Sequence, residues 1–200
     1  MSSVCWAGVD VGGRRKGFHG AAVDAEGLVA GPQRLADPEA CLEWLTDLRP
    51  DVVALDSPQS FAPAGERSRR GERDLSREVC GILWTPDRTS VAENPFHEWI
   101  VHGYELYELL EEARQRMEWE VVECFPTASW TVWAGARGKR SRTAWTSEAL
   151  SDQKLSGLPE RRLNQDDRDA IAAALTARAH SRNETRTFEE IVVPLEGSTA

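Results

Sequence analysis

The opening stretch VCWAGVDVGG alternates apolar residues with small or polar ones and is rich in β-formers, and similar β-prone segments, KGFHGAAVD and GLVAGPQRL, follow it. A Gly-rich turn and a Glu-Gly turn separate the three, so the chain is predicted to open as an antiparallel meander of three strands. Asp37-Pro38 marks a helix start. PEACLEWLTDL then places Cys41, Trp44, Leu45 and Leu48 on one helical face. DVVALD is a continuous apolar run of strand length, the form of a strand covered on both faces. A right-handed crossover through the intervening helix sets it parallel to the first strand.

From Phe61 to about Pro95 the chain is polar, Arg-rich and punctuated by Gly and Pro, which reads as a long, partly helical insertion at about 61–95. Such excursions from a compact domain are more often functional or mobile than neutral, and this one is expected to close over a substrate. An amphipathic helix follows, with Trp99, Leu106, Leu110, Ala113 and Met117 on its apolar face. EVVECFP is a further short strand. WAGARGKRSRTAWTSEAL begins as a basic loop, and LNQDDRDAIAAALTARAH is an Ala-rich helix with Asn164 at its N-cap. FEEIVVPLE adds an edge strand, and a mobile tail is expected after about 194. There is no internal repeat.

No Gly/Ser-rich or Pro-rich linker divides the 200 residues, so they read as a single domain over 1–200. The start lacks a basic-then-apolar leader, and no apolar run approaches the ~18 residues of a membrane span. The expectation is a cytoplasmic protein with no membrane partner. Cys5, Cys41, Cys80 and Cys124 are scattered without a Cys-x-x-Cys pair, as buried thiols in a reducing compartment would be. A net charge of −9 excludes bulk attraction to nucleic acid. The distribution changes that picture. Twelve of the 24 Lys and Arg fall in three short segments: Arg14 to Lys16, Arg67 to Arg77, and Arg137 to Arg142.

Asp10 ends the first strand and Asp56 ends the fourth, and if the two run parallel both carboxylates emerge at the same carboxyl edge, where ligands of open α/β sheets bind. Glu123 interrupts an apolar strand. Asp166 and Asp169 share a helical face that Ala170, Ala173 and Ala177 continue, small enough to let the helix lie close to a sheet. Acids gathered this way repel one another, and Mg or Mn supplies the counter-charge because hard divalent cations take oxygen ligands. Two such ions would activate a water and stabilise the leaving oxygen of a phosphodiester. Each basic segment follows a strand that bears an acid, so all three are expected to rim this edge and hold phosphate.

Each acid also has an ordinary structural reading. Asp166 and Asp167 lie in the first turn of their helix, where acids cap amides and meet the macrodipole. Asp10 precedes Gly12-Gly13 and Asp56 precedes Pro58, as turn aspartates do. Glu123 is equally accounted for by an arginine partner. His19, His97, His102 and His180 lack metal-ligand spacing. Ser57 lacks a Gly-x-Ser-x-Gly elbow. Of the eight Trp, Trp6, Trp44 and Trp99 read as core, whereas Trp130, Trp133 and Trp145 flank the basic loop and stand as candidates for base stacking.

Taken in order, GVDVGG through AAVD, VVALDSP with ERDLSREVCGIL, VVECFPTASW and DDRDAIAAALTA resemble the predicted RNase H-like nucleases of the domain-of-unknown-function 429 family, over roughly Val4 to His180. The resemblance implies an α/β fold with a mixed five-stranded sheet, three strands antiparallel and two parallel, and helices on both faces. It implies Asp10, Asp56 and Asp169 as catalytic metal ligands, with Asp166 and Glu123 as accessory metal positions. Arg73, Asp74 and Arg77 match the family's Arg-Asp stretch, and Lys139 sits where its basic loop lies. With Arg14 and Arg140 these cations are the expected substrate contacts. The function expected is divalent-metal-dependent phosphodiester hydrolysis by a two-metal nuclease, with nucleic acid, DNA or RNA, as substrate. Two other classes stay open. GVDVGGRRKG resembles the phosphate-1 loop of sugar kinases and related ATPases, which pair two such domains where this chain has length for one. A non-catalytic RNase H-like binding module is the other. Oligomeric state, a homodimer included, is not fixed by the sequence.

Overall fold

A computed structural model describes residues 4–198. The predicted meander is present: β1 (Trp6–Val11) pairs antiparallel with β2 (Phe18–Val23), and β2 with β3 (Leu28–Leu35). Helix α1 (Pro38–Leu48) starts where expected, because the Asp37 carboxylate accepts the Ala40 N–H at 2.8 Å and Pro38 needs no N–H partner in the first turn. The chain then returns through β4 (Val52–Asp56), parallel to β1, with Asp10 directly opposite Asp56. After α2 (Arg70–Glu78), α3 (Arg88–Glu93) and a short 3-10 turn at Pro95–His97, helix α4 (Glu98–Ala113) leads to β5 (Glu120–Cys124), parallel to β4. Helices α5 (Pro126–Ala134), α6 (Arg142–Asp152) and α7 (Gln165–Ser181) follow, and a hairpin of β6 (Thr185–Phe188) and β7 (Ile191–Pro194) ends the fold.

The sheet has seven strands in the order β3-β2-β1-β4-β5-β7-β6, which corrects the expected five. FEEIVVPLE contributes β7, but not at the edge: β7 runs parallel to β5, with Glu123 opposite Ile191, and β6 lies outside it. The hairpin is held because Phe188, Ile191 and Val193 pack with Leu75 and Ala128 in a cluster of their own. Leu75 belongs to the 61–95 insertion, so that segment carries part of the core. Of the expected tail after about 194, residues 199–200 lie outside the described residues. No helix among the described residues is long and apolar enough to cross a membrane.

Both faces of the sheet are covered, as the continuous apolar run of β4 requires. Val9, Leu55, Leu45, Leu106 and Leu110 fill the side of α1 and α4. On the other side Trp6, Ala54 and Val122 meet α7 and its run of Ala170, Ala173, Ala174 and Ala177. Gly8 makes the closest approach. A Cβ placed on it would lie 2.0 Å from the Ala174 amide nitrogen, so α7 rests directly on the β1 backbone. Asp10 lies two residues along the same face of β1 and therefore turns toward the start of α7.

Candidate metal-binding cleft at the carboxyl edge

All five acids singled out in the sequence, Asp10, Asp56, Glu123, Asp166 and Asp169, line one cleft of about 310 Å³. Asp10 and Asp56 are neighbours in register on parallel strands, which stand about 4.8 Å apart. Neither carboxylate has a hydrogen bond or salt bridge among the described residues. Burial, then the charges of Asp169 and Asp166, push the Asp10 carboxyl up to about 8, against the pull of Lys16 and Arg142. Burial likewise raises Asp56 well above the carboxylate range, with Asp10 and Asp169 adding to it. The pair lacks a counter-charge of its own.

The other three acids are engaged. Asp169 is buried on α7. Its Oδ1 accepts from Trp130 Nε1 at 3.1 Å and from Gln165 Nε2 at 2.9 Å, and its Oδ2 accepts from Arg142 Nη2 at 2.8 Å. Burial raises its pKa, and these three partners oppose the rise. Asp166 takes Lys16 Nζ at 2.6 Å. Glu123 lines the cleft, but its two oxygens are held by the buried Arg69 guanidinium, one at 2.7 Å, and by the Gln59 N–H at 2.9 Å. Burial still lifts the Glu123 carboxyl despite Arg69. The arginine-partner reading of Glu123 is the one the geometry supports. Among the described residues no three or more His, Cys, Asp or Glu stand together as a ready metal cage. The open ligand set is the Asp10–Asp56 pair.

Arg69 is a residue that sequence reasoning counted among the basic segments without assigning it a role. It also bonds Glu72 through Nε at 3.1 Å and Glu190 at 3.0 Å, and Glu72 accepts the Thr85 N–H at 3.0 Å. One guanidinium thus ties the insertion to β5 and to the β6–β7 turn. An acid inside an apolar strand signals that a cation must reach it, but among twelve clustered basic residues nothing in the spacing says which.

Asp167, read as a helix-start acid, is one. It shares a reciprocal cap with Asn164, accepts from Arg161 at 2.6 Å and meets His19 Nδ1 at 3.0 Å. Burial works against its ionised form, yet these bonds hold its pKa below the ordinary value.

The cations expected to hold substrate do not line the cleft. Arg14 pairs with Glu105 at 2.5 Å, Arg73 with Glu66 at 3.2 Å, Arg77 with Asp74, and Arg140 with Glu148 at 3.0 Å; Lys139 is exposed on its loop. Acids close to each arginine absorb its charge at the surface. Lys16, Arg69 and Arg142 are the cations in the cleft, against six carboxylates there once Glu72 is counted. The stacking candidates also change places. Trp130 and Trp145 are buried and bonded within the core, to Asp169 and to the Gly135 carbonyl, while Trp99, expected in the core, lines the cleft. Ser57 Oγ is buried, has no partner among the described residues, and sits where a Gly103 Cβ would come within 1.9 Å, so no described base activates it. In the Gly-rich turn, the Gly12, Lys16 and Gly17 amides bond backbone carbonyls and the Arg14 amide bonds Glu98 at 3.1 Å. A carboxylate already takes the place a phosphate would need.

The structure of Thermus thermophilus RuvC is similar to this one at TM-score 0.50 and 19% identity, covering 90% of this chain and 96% of that one. The same protein in complex with a Holliday junction substrate gives 0.49, with the same identity and coverage. At that identity the first likeness speaks for the fold alone. No functionally curated protein matches. A family model described as protein of unknown function (DUF429) matches residues 8–191, nearly the whole chain, and the protein belongs to that family.

Proposed function

We propose that the protein is a divalent-metal-dependent phosphodiesterase acting on nucleic acid, with its site at the carboxyl edge of β1 and β4. The observation that carries this is the Asp10–Asp56 pair, set side by side by strand register with no counter-ion bonded to either carboxylate among the described residues. Two half-buried acids in that position must hold a proton or a cation. Their oxygens suit Mg or Mn. Asp10 and Asp56 would hold the ion, with Asp169 and Asp166 at hand. A bound ion there supplies an activated water and a charge opposite the leaving oxygen.

The protein's own side chains do the rest. Three cations among six carboxylates leave the metal-free cleft unable to attract phosphate, so substrate binding depends on metal entering first. Lys16 and Arg142 enter the cleft from exposed positions, and once metal engages Asp166 and Asp169, with which they now pair, they would be free to meet the flanking phosphates. Asp169 would be the acid to hold a second ion, if Arg142 left its Oδ2. Arg69 and Glu123 act as the brace that fixes the cleft wall. The likeness to RuvC carries the fold; the carboxylate pair carries the chemistry.

The test is cleavage of labelled single-stranded and duplex DNA and RNA in Mn²⁺ and in EDTA. Metal-dependent cleavage that Asp10→Asn and Asp56→Asn each reduce by at least about a thousandfold supports the reading, since removing a charge-stabilising group costs on that order. Cleavage that survives either substitution, or its absence from the wild type on every substrate, rejects it.

A further inference from the structure

Few large apolar side chains face solvent among the described residues, and three of them, Leu83 (62% exposed), Trp84 (53%) and Phe96 (63%), fall between the end of α2 and the start of α4. Leu83 lines the carboxylate cleft, as does Trp99 just beyond Phe96. Leu83 and Trp84 are presented by design of the chain path. Their arc is pinned at one end by the Cys80 N–H on the Leu75 carbonyl (3.3 Å) and at the other by the buried Thr85, whose N–H meets Glu72 at 3.0 Å. Between those anchors Ile82 packs against the hairpin cluster while Leu83 and Trp84 face solvent. Exposed apolar surface of this kind at the mouth of a cleft marks a ligand contact.

We propose that this lip is a stacking platform for unpaired bases, so that the substrate is single-stranded or locally unpaired nucleic acid. This rests on the phosphodiesterase reading of the cleft. The floor, once charged with divalent cations, and Lys16 and Arg142 beside it call for a ligand that carries phosphates. Leu83 on the cleft wall, with exposed Trp84 next to it in the chain, calls for flat apolar faces beside those phosphates. A nucleotide chain with free bases has both. A duplex hides its base faces in the stack and offers the lip nothing but backbone and groove edges. Stacking of a base on an aromatic side chain is tolerant of sequence, so little base preference is expected at this position.

The experiment measures binding of a short fluorescein-labelled DNA strand, and of the duplex formed with its complement, by fluorescence anisotropy. Ca²⁺, which takes the same oxygen ligands, replaces Mn²⁺ so that binding is read without turnover. Wild type is expected to bind the strand more tightly than the duplex. Trp84→Ala is expected to weaken strand binding by about tenfold or more and duplex binding far less, with Trp84→Phe restoring most of the loss. Equal affinity for both forms, or a strand affinity untouched by Trp84→Ala, overturns the stacking platform and leaves the phosphodiesterase reading standing. Failure of the wild type to bind either form overturns both. A wild-type dimer that Trp84→Ala converts to a monomer means a second copy covers the lip, and overturns the proposal too.

Discussion

Asp10→Asn is expected to stabilise the metal-free protein, an unusual sign for a substitution in a buried site. The cause is the uncompensated pair. Asp10 titrates at about 8 instead of its ordinary 3.8, so at neutral pH the folded chain holds a proton that the unfolded chain releases. Roughly 3 pH units separate 3.8 from neutrality, and at about 1.4 kcal/mol each they set an upper limit near 4 kcal/mol on the cost. The carboxylate is only half-buried and the amide must also shed water, so about 2 kcal/mol is the working figure. For a chain of this size that raises the melting temperature by about 4 to 8 °C in EDTA.

The pH dependence follows from the same proton. Because the folded state binds more protons between 3.8 and about 8, wild-type stability falls as pH rises through that window. The Asn variant should show a shallower slope, keeping only the part that burial of Asp56 contributes. Saturating Mn²⁺ reverses the advantage: at a hundred times its dissociation constant it adds about 2.7 kcal/mol to the wild type and little to the variant. Differential scanning fluorimetry in EDTA and in Mn²⁺, across pH, reads all three effects. A lower melting temperature for Asp10→Asn in EDTA, or equal shifts of both proteins by Mn²⁺, would mean that the pair carries no uncompensated charge.

Four further outcomes are expected. Arg142→Gln frees the Asp169 carboxylate that it now holds at 2.8 Å, and should tighten Mn²⁺ binding by up to about fivefold in calorimetry, the equivalent of the ~1 kcal/mol that a half-exposed pair is worth. Arg69→Met strands Glu123 and Glu72 without their buried partner and should cost about 3 to 5 kcal/mol in urea denaturation, with Glu123→Leu recovering part of it. Gly8→Ala drives a methyl to 2.0 Å from the Ala174 nitrogen, and since backbone cannot yield as a side chain does, a loss of about 3 kcal/mol or more is expected by the same denaturation. Mn²⁺ affinity should climb by at least about tenfold per pH unit up to pH 8, because the ion displaces the Asp10 proton and any that Asp56 holds; titrations in buffers of different ionisation enthalpy would count the protons released.

The strands of the first half were legible because β1 alternates apolar with small or polar residues and β4 is a continuous apolar run, and α1 because Asp37-Pro38 announces its start. Since Asp10 and Asp56 stand at the carboxyl ends of these two stretches, parallel pairing was enough to place them side by side. Helix α5 was not legible: it is short and apolar on most sides, with Trp130 buried and Val132 and Trp133 half-buried, so it presents no stripe. The β6–β7 hairpin was half legible, since Arg186 and Thr187 face solvent and read as loop. Trp99 belongs to the periodic face of α4, but the first turn of that helix stands beside the cleft, where the apolar face meets a cavity instead of the sheet. For Glu123 the demand for a cation was written in its strand and the supplier was not. Arg69 and Arg142 could be told from their neighbours only by where the chain folds back, which spacing does not encode. The same holds for Trp130 and Trp145, whose place beside a basic loop in sequence gave no sign that they face inward.

The location of a divalent cation held between the two strand-end carboxylates is directly measurable. Crystals soaked in Mn²⁺ and measured near the manganese absorption edge would give an anomalous map of the cleft. The expected result is a peak within about 2.0 to 2.6 Å of carboxylate oxygens on both Asp10 and Asp56, absent from Asp10→Asn crystals treated alike. A map without a peak at that pair, or with manganese bound only elsewhere on the acidic surface, would contradict the central claim.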